Sequence, residues 1–166
     1  IRQLLTEGLV LALAGGTVQG DGSPLNSVPS FTLGTDAVTP LAMAGAYGVF
    51  ANHGTRCKSI AIARVTDRNG KDLAVPRADC TKVLERKVAD SVTSILSQVI
   101  DGPLNGRTGK LMSLGRDAAG KTGTTNASAS VWFVGFTPDL AAAVATYDPR
   151  GANGYPMKNL TIGGRY

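Results

Sequence analysis

Residues 115–125 read GRDAAGKTGTT, and this segment constrains the fold more than any other part of the chain. From Gly115 to Thr122 it matches every fixed position of the phosphate-binding loop pattern G-x-x-x-x-G-K-[ST]. Such a loop leaves a strand and opens a helix, whose first N–H groups bind the phosphates. The residues after Lys121 are rich in glycine and β-branched side chains, which form a first helical turn poorly. The segment therefore favours a strand, and a P-loop nucleotide-binding protein is the alternative.

On a strand, the same residues have the chemistry of an acyl-transfer site. Lys121 supplies positive charge toward an anionic substrate group and toward a proton-transfer network. The hydroxyls of Thr122 and Thr124 can bind a substrate carboxylate, and Gly123 allows a substrate backbone to approach closely. The backbone N–H of Thr124 can point into an oxyanion hole. Lys-Thr-Gly occurs by chance in many proteins, so the surrounding sequence has to decide between the two interpretations.

Composition limits the alternatives. A chain of 166 residues is long enough for one domain with a core, and its 43% hydrophobic and 17% charged residues are typical of a globular protein. The net charge of +5 is not concentrated in any segment, so nucleic-acid binding has little support. The apolar run at residues 8–14 is far too short to span a bilayer. With two cysteines and one histidine, no metal site is predicted.

Two helices are predicted from capping signals and periodicity. Thr39 is suited to be an N-cap and Pro40 to be the first helical residue, and this helix should end at residues 52–54. Apolar residues recur at helical spacing over residues 81–100, and an Asp-Gly-Pro sequence at residues 101–103 stops this second helix. The first helix is small or apolar on nearly every face and should therefore pack closely against other elements.

Four strands are predicted around turn signals. A hairpin should join residues 59–66 to residues 73–75 through the two-residue turn Asn69-Gly70. Two further strands, at residues 131–136 and 140–147, should be joined by a tight turn at residues 137–139. Helices alternating with antiparallel hairpins predict an α+β fold, an antiparallel sheet flanked by helices.

Four blocks resemble class A penicillin-binding proteins in sequence and order: FTLGTDAVTPL at residues 31–41, AYGVFANHG at residues 46–54, AAGKTGTTN at residues 118–126 and WFVGFTPDL at residues 132–140. The resemblance covers nearly the whole chain and implies the C-terminal portion of a penicillin-binding transpeptidase domain. The implied fold is serine β-lactamase-like and incomplete. The resemblance also implies that Lys121 and Thr124 act in catalysis, and that Lys121, Thr122, Gly123, Thr124 and Thr125 bind the substrate.

The implied activity is that of a serine-type D,D-transpeptidase, which cross-links peptidoglycan stem peptides through an acyl-enzyme and is acylated by β-lactams. No cofactor is expected. The partners would be the stem peptide, β-lactam antibiotics and the remaining half of the same domain. Such an enzyme works at the extracytoplasmic face of the bacterial membrane, to which we expect it to be anchored by an upstream helix.

Cys57 and Cys80 leave two possibilities open on residue grounds alone. In a cytosolic protein they would be two buried thiols, whereas an exported protein would favour a disulfide. The resemblance implies an oxidising exterior and therefore favours a Cys57–Cys80 disulfide.

Two motifs of the family are missing from the sequence. The family's mechanism uses Ser-x-x-Lys, in which the serine attacks and the lysine helps to take its proton. None of the ten serines has a lysine three positions later, and the family's Ser-x-Asn motif is absent too. We therefore expect both motifs to lie upstream of Ile1, and the chain alone to be inactive. A non-catalytic penicillin-binding-like scaffold is a further alternative.

Overall fold

The computed structural model describes residues 38–150 and Met157. The apolar run at residues 8–14 and residues 31–37 of the first family block lie outside the described residues. The described elements comprise two longer helices, a short 3₁₀ turn at Asn126–Ser128 and seven strands. In chain order, the helices and strands are α1 (Pro40–Ala51), β1 (Thr55–Arg56), β2 (Val65–Thr66), β3 (Asp72–Leu73), β4 (Thr81–Lys82), α2 (Arg86–Asp101), β5 (Ala119–Thr124), β6 (Ser130–Phe136) and β7 (Ala141–Tyr147).

Helix α1 begins as its capping residues predict. Thr39 is extended, and its Oγ1 accepts a hydrogen bond from the Ala42 N–H at 3.2 Å, which satisfies one of the free donors of the first turn. Pro40 follows as the first helical residue. The helix packs against β6 and β7, and buries Val49 and Phe50. The predicted position of α1 is confirmed.

Helix α2 is shorter than predicted. It begins after Glu85 instead of at residue 81, because Thr81 and Lys82 form strand β4, which pairs antiparallel with β1. Its end at residues 101–103 is as predicted. No helix among the described residues is both long enough and apolar enough to cross a membrane.

The first hairpin forms, but its first strand begins at Val65 instead of residue 59 and its turn is different. Strands β2 and β3 pair over two residues each, and the Asp67 carboxylate accepts hydrogen bonds from the N–H groups of Asn69 and Lys71 at 2.8 and 2.9 Å. The predicted two-residue turn is wrong, because these bonds close a longer loop in which Gly70 has φ +81°.

Strands β5, β6 and β7 form one antiparallel sheet in that order, as the α+β prediction requires. Helices α1 and α2 cover one face of the sheet. The core between these layers contains Phe136, Ala119 and the buried side of α1, and Tyr47 makes edge-to-face contacts with Phe50 and Phe136. Burial raises the pKa of the Tyr47 phenol, since desolvation disfavours the phenolate. The predicted fold class is confirmed.

The opposite face of the sheet has a close contact at two glycines. Gly120 and Gly135 are cross-strand partners. A Cβ built on either would lie within 3 Å of the Phe133 ring, at 2.8 Å from Cζ and 2.9 Å from Cε1 respectively. The ring therefore lies across both glycines and fixes the register of β5 against β6.

Candidate active site

Strand β5, which contains residues 121–124, is an edge strand of the three-stranded sheet. Its inner edge pairs with β6, placing Lys121 opposite Val134 and Gly123 opposite Trp132. Among the described residues no strand pairs with its outer edge. We refer to residues 121–124 as the Lys-Thr-Gly wall. An open strand edge leaves backbone N–H and C=O groups available to an extended ligand.

The side chains of the Lys-Thr-Gly wall differ in exposure. Lys121 and Thr124 are exposed, while Thr122 and Gly123 are half-buried. The Lys121 ammonium donates a hydrogen bond to the Thr122 carbonyl oxygen at 2.7 Å, so it lies beside the strand backbone. The wall therefore offers a cation and two hydroxyls within four consecutive residues.

Among the described residues there is room for a side chain at Gly123 but not at Gly120. A Cβ on Gly123 would have the Trp132 Cβ as its nearest neighbour, at an ordinary 3.5 Å. A Cβ on Gly120 would lie 2.9 Å from the Val134 carbonyl oxygen as well as against the Phe133 ring. Packing among the described residues thus requires glycine at position 120 and does not require it at position 123.

The hydroxyl of Thr122 is bonded to a residue that the sequence did not single out. Thr122 Oγ1 and Thr108 Oγ1 lie 2.8 Å apart. Thr108 lies in the connection between α2 and β5, which the sequence identifies only as glycine-rich. The one local signal is Gly109, at which a Cβ would lie 2.7 Å from the Val99 carbonyl oxygen.

The hydroxyl of Thr125 closes the connection between β5 and β6. Thr125 Oγ1 accepts a hydrogen bond from the Ser130 N–H at 2.8 Å, and the Thr125 N–H donates to the Ser130 carbonyl oxygen at 3.0 Å. Between them, Ala127 and Ser128 have left-handed φ angles of +56° and +55°. The Thr125 hydroxyl thus holds a tight turn, and its role toward a substrate stays a prediction.

The phosphate-binding alternative is wrong. Lys121 and Thr122 lie in the middle of an extended strand, so no helix N-terminus stands behind them. The short 3₁₀ turn begins only at Asn126. The bundle of N–H groups that binds phosphates in a P-loop is therefore not formed here.

Cys57 and Cys80 form a disulfide, with their sulfur atoms 2.02 Å apart. The bond closes residues 57–80, which include the β2–β3 hairpin and are almost entirely exposed. Beside it, the Lys58 N–H donates to the Ala78 carbonyl oxygen at 2.6 Å and the Lys58 ammonium pairs with Asp79 at 3.0 Å. The disulfide therefore joins the two ends of the exposed segment 57–80.

A cavity of about 480 Å³ lies elsewhere, between α1, α2 and the start of β5. Its lining includes Phe50 and Phe136 and none of residues 121–125. At its edge, His53 Nδ1 lies 2.6 Å from the Asp90 carboxylate, and this hydrogen bond, aided by the nearby charges of His53 and Arg86, lowers the pKa of Asp90. Within residues 38–150 no group of His, Cys, Asp or Glu side chains is arranged to hold a metal ion.

Comparison with known proteins agrees with this architecture. Residues 14–160 match the family described as the penicillin binding protein transpeptidase domain. Penicillin-binding protein 1A of Aquifex aeolicus is 39% identical over 134 residues, which is 80% of this chain and 18% of that protein. The chain therefore spans about a fifth of the length of this relative. These matches confirm the family that the sequence blocks indicate.

Two solved structures show the same fold. Penicillin-binding protein 1A from Haemophilus influenzae superposes with a TM-score of 0.69 and 27% identity, covering 84% of this chain and 26% of that one. The PonA1 protein from Mycobacterium tuberculosis, solved in complex with penicillin V, gives a TM-score of 0.65 and 26% identity, covering 89% of this chain and 44% of that one.

Proposed function

Since this chain belongs to the family of penicillin-binding protein transpeptidase domains, we propose that its Lys-Thr-Gly wall forms one side of a D,D-transpeptidase active site. The observation that supports this proposal is the placement of residues 121–124 on an edge strand, with Lys121 and Thr124 exposed. An extended peptide can lie along such an edge and reach both the hydroxyls and the backbone N–H groups.

Each residue of the wall has a distinct role in this proposal. Thr122 and Thr124 donate hydrogen bonds to the terminal carboxylate of the substrate. The positive charge of Lys121 attracts that group and also serves the proton-transfer network of the attacking serine. The Thr124 N–H stabilises the oxyanion that forms when the peptide carbonyl is attacked. Gly123 allows the substrate backbone to approach the strand closely. Because a Cβ at this position would meet the Trp132 Cβ at an ordinary 3.5 Å, glycine here serves substrate binding rather than packing.

The attacking serine comes from outside these residues. No serine of the 166 residues has a lysine three positions later, so the chain contains no Ser-x-x-Lys nucleophile. We place that motif in an upstream segment of the same domain, which would make this chain the C-terminal part of one domain. The serine attacks the carbonyl of a stem-peptide bond, and the residue beyond that bond leaves as a free amine. An amine of a second stem peptide then attacks the resulting ester, which forms the cross-link and releases the serine. A β-lactam acylates the same serine when its ring amide opens.

The proposed setting follows from the proposed substrate. Peptidoglycan lies outside the cytoplasmic membrane, so we place the domain at the extracytoplasmic face, held there by an anchor upstream of these residues. The Cys57–Cys80 disulfide is compatible with this oxidising compartment.

Labelled penicillin V tests the proposal directly. We expect covalent labelling of the longer protein that joins this chain to its Ser-x-x-Lys segment, and none of the 166-residue chain alone. Lys121→Ala in the longer protein should slow acylation about 100-fold or more, the range of a lost proton-transfer group. Lys71→Ala, which removes an exposed lysine from the β2–β3 loop, is the matched control and should label normally.

Each alternative outcome has a definite meaning. If the longer protein folds and resists acylation, the non-catalytic scaffold is the correct interpretation. Stable labelling of the isolated chain at one of its own serines would refute the assignment of the nucleophile to another segment.

A further inference from the structure

We propose that Thr108 is a positioning residue that orients the Thr122 hydroxyl toward the substrate carboxylate. The inference rests on the proposed function, because Thr122 binds a carboxylate only if the Lys-Thr-Gly wall binds substrate. It adds a residue from the connection between α2 and β5, 14 positions before Thr122 in the sequence.

The contact between the two hydroxyls has a definite chemical consequence. Their oxygens are 2.8 Å apart, an ordinary O–H···O hydrogen bond. A threonine hydroxyl has one proton and two acceptor lone pairs. When Thr122 donates to Thr108, its single proton is not available to a ligand. When Thr108 donates to Thr122, the Thr122 proton is free to point at a carboxylate.

Thr108 is held in place from both sides by α2. Arg107 Nε donates to the Ile100 carbonyl oxygen at 2.8 Å, and the Gly109 N–H donates to the Val99 carbonyl oxygen at 3.1 Å. Carbonyls in the last turn of a helix lack partners within the helix, and a cation there is favoured by the helix dipole. These hydrogen bonds anchor residues 107–109 to the C-terminal end of α2, because they supply donors to carbonyls that have no partner within the helix.

The packing around Gly109 leaves this placement little freedom. Gly109 is buried, and a Cβ there would lie 2.7 Å from the Val99 carbonyl oxygen, so no side chain fits. The backbone around Thr108 is therefore held by α2, while the backbone of Thr122 is held by the sheet. The hydrogen bond between the two hydroxyls therefore links α2 to the sheet at Thr122, the side chain that contacts the substrate carboxylate in this proposal.

Carboxylate binding selects one of the two hydrogen-bond directions. With an anion present, Thr122 donates to it and Thr108 donates to Thr122 Oγ1, so that the hydrogen bonds form a chain in which each strengthens the next. No proton is transferred in this change, because two hydroxyl rotors simply turn. A ligand without the negative charge has much less to gain from the alignment.

Two variants in the longer, acylation-competent protein test this assignment. Thr108→Val keeps the branched shape and removes the hydroxyl, whereas Thr108→Ser keeps the hydroxyl. We expect Thr108→Val to slow acylation by penicillin V about fivefold to tenfold, the effect of one hydrogen bond, and Thr108→Ser to restore most of the rate. For the uncharged methyl ester of penicillin V, the rates of wild type and Thr108→Val should agree within about twofold.

The comparison of acid and ester separates positioning from general support of the fold. An equal loss for the two ligands would show that Thr108 only supports the strand, and no loss for either would show that its hydroxyl does nothing. Either result overturns the inference.

A measurement on the 166-residue chain separates this inference from the proposed function. Three-bond couplings between the Thr122 methyl carbon and its backbone nitrogen report the χ1 rotamer. We expect one rotamer in wild type and in Thr108→Ser, and averaging among rotamers in Thr108→Val. A single rotamer in all three proteins refutes positioning by Thr108. Failure of the wild-type longer protein to acylate refutes the proposed function instead.

Discussion

Substituting alanine for glycine at positions 120 and 123 should have opposite effects on stability. Both glycines lie in β5 and neither has a positive φ, so a side chain adds no backbone strain at either site. At position 120 the new methyl meets the Phe133 ring at 2.8 Å and the Val134 carbonyl oxygen at 2.9 Å. The Phe133 ring can move away from the new methyl only by losing its contact with Gly135. The Val134 carbonyl is part of the β6 backbone and is held by the sheet. At position 123 the nearest atom is at 3.5 Å.

These distances set the expected magnitudes. Overpacking at position 120 should cost about 1–3 kcal/mol, from which the lower entropy of the unfolded alanine variant removes about 0.4–1 kcal/mol. At position 123 only the entropy change operates, so Gly123→Ala should be as stable as wild type or slightly more stable. The two variants should therefore differ by about 2 kcal/mol in free energy of unfolding.

Urea denaturation of the 166-residue chain measures this difference, with the slope of the transition checked for constancy. Equal midpoints for the two variants would refute the close packing of Phe133 across Gly120 and Gly135. In the longer protein, Gly123→Ala should also lose penicillin acylation while remaining folded. Normal acylation of that variant would refute the role of Gly123 in substrate approach.

Three further outcomes are expected. Reducing the Cys57–Cys80 disulfide, which closes a loop with a sequence separation of 23, should lower the free energy of unfolding by about 3 kcal/mol. Urea midpoints with and without reductant measure this, a variant with both cysteines changed to serine should not respond, and an unchanged wild-type midpoint would contradict the expectation. The Asp148 carboxyl should titrate at about pH 2 by carbon NMR, because hydrogen bonds from Arg150 lower its pKa from 3.8. Its stabilising contribution is then present above pH 3.8 and lost as the pH falls toward 2, and an unchanged midpoint in Arg150→Gln would exclude this cause. Thr39→Ala should destabilise the chain by about 1 kcal/mol in thermal or urea unfolding, and Thr39→Ser should not, since serine can also cap α1.

Features determined by neighbouring residues could be predicted from the sequence. The start of α1 follows from Thr39 and Pro40 because capping is a contact between residues three apart. The strand character of residues 119–124 follows from glycine and β-branched residues that cannot open a helix. Strands β6 and β7 were predicted to within one residue at each end because a short turn joins them.

Features that depend on distant pairing could not be predicted. Thr81 and Lys82 continue the spacing of α2, yet they pair with Thr55 and Arg56 in a strand ladder. The Asn69-Gly70 signal was overridden by the Asp67 carboxylate, which closes a longer loop.

The largest omission at the candidate site was Thr108. Its importance arises because the last carbonyls of α2 need donors, which Arg107 and Gly109 supply. The Asp-Gly-Pro sequence predicts where α2 ends along the chain, but not which later residues reach its last carbonyls, because that depends on how the chain folds back against the helix.

The Lys-Thr-Gly wall and the missing nucleophile make binding and bond formation separable in this chain. Hydrogen bonds to a charged group are worth about 1.5–3 kcal/mol each, and losses of translational and rotational freedom offset much of what a few of them provide. Residues 121–124 on an open edge should therefore hold penicillin V reversibly with a dissociation constant on the order of millimolar, as NMR titration of the 166-residue chain can measure. Lys121→Ala should weaken this binding further, whereas Lys71→Ala should not. Micromolar affinity would contradict the reasoning, because one exposed wall cannot supply that free energy without the rest of the site.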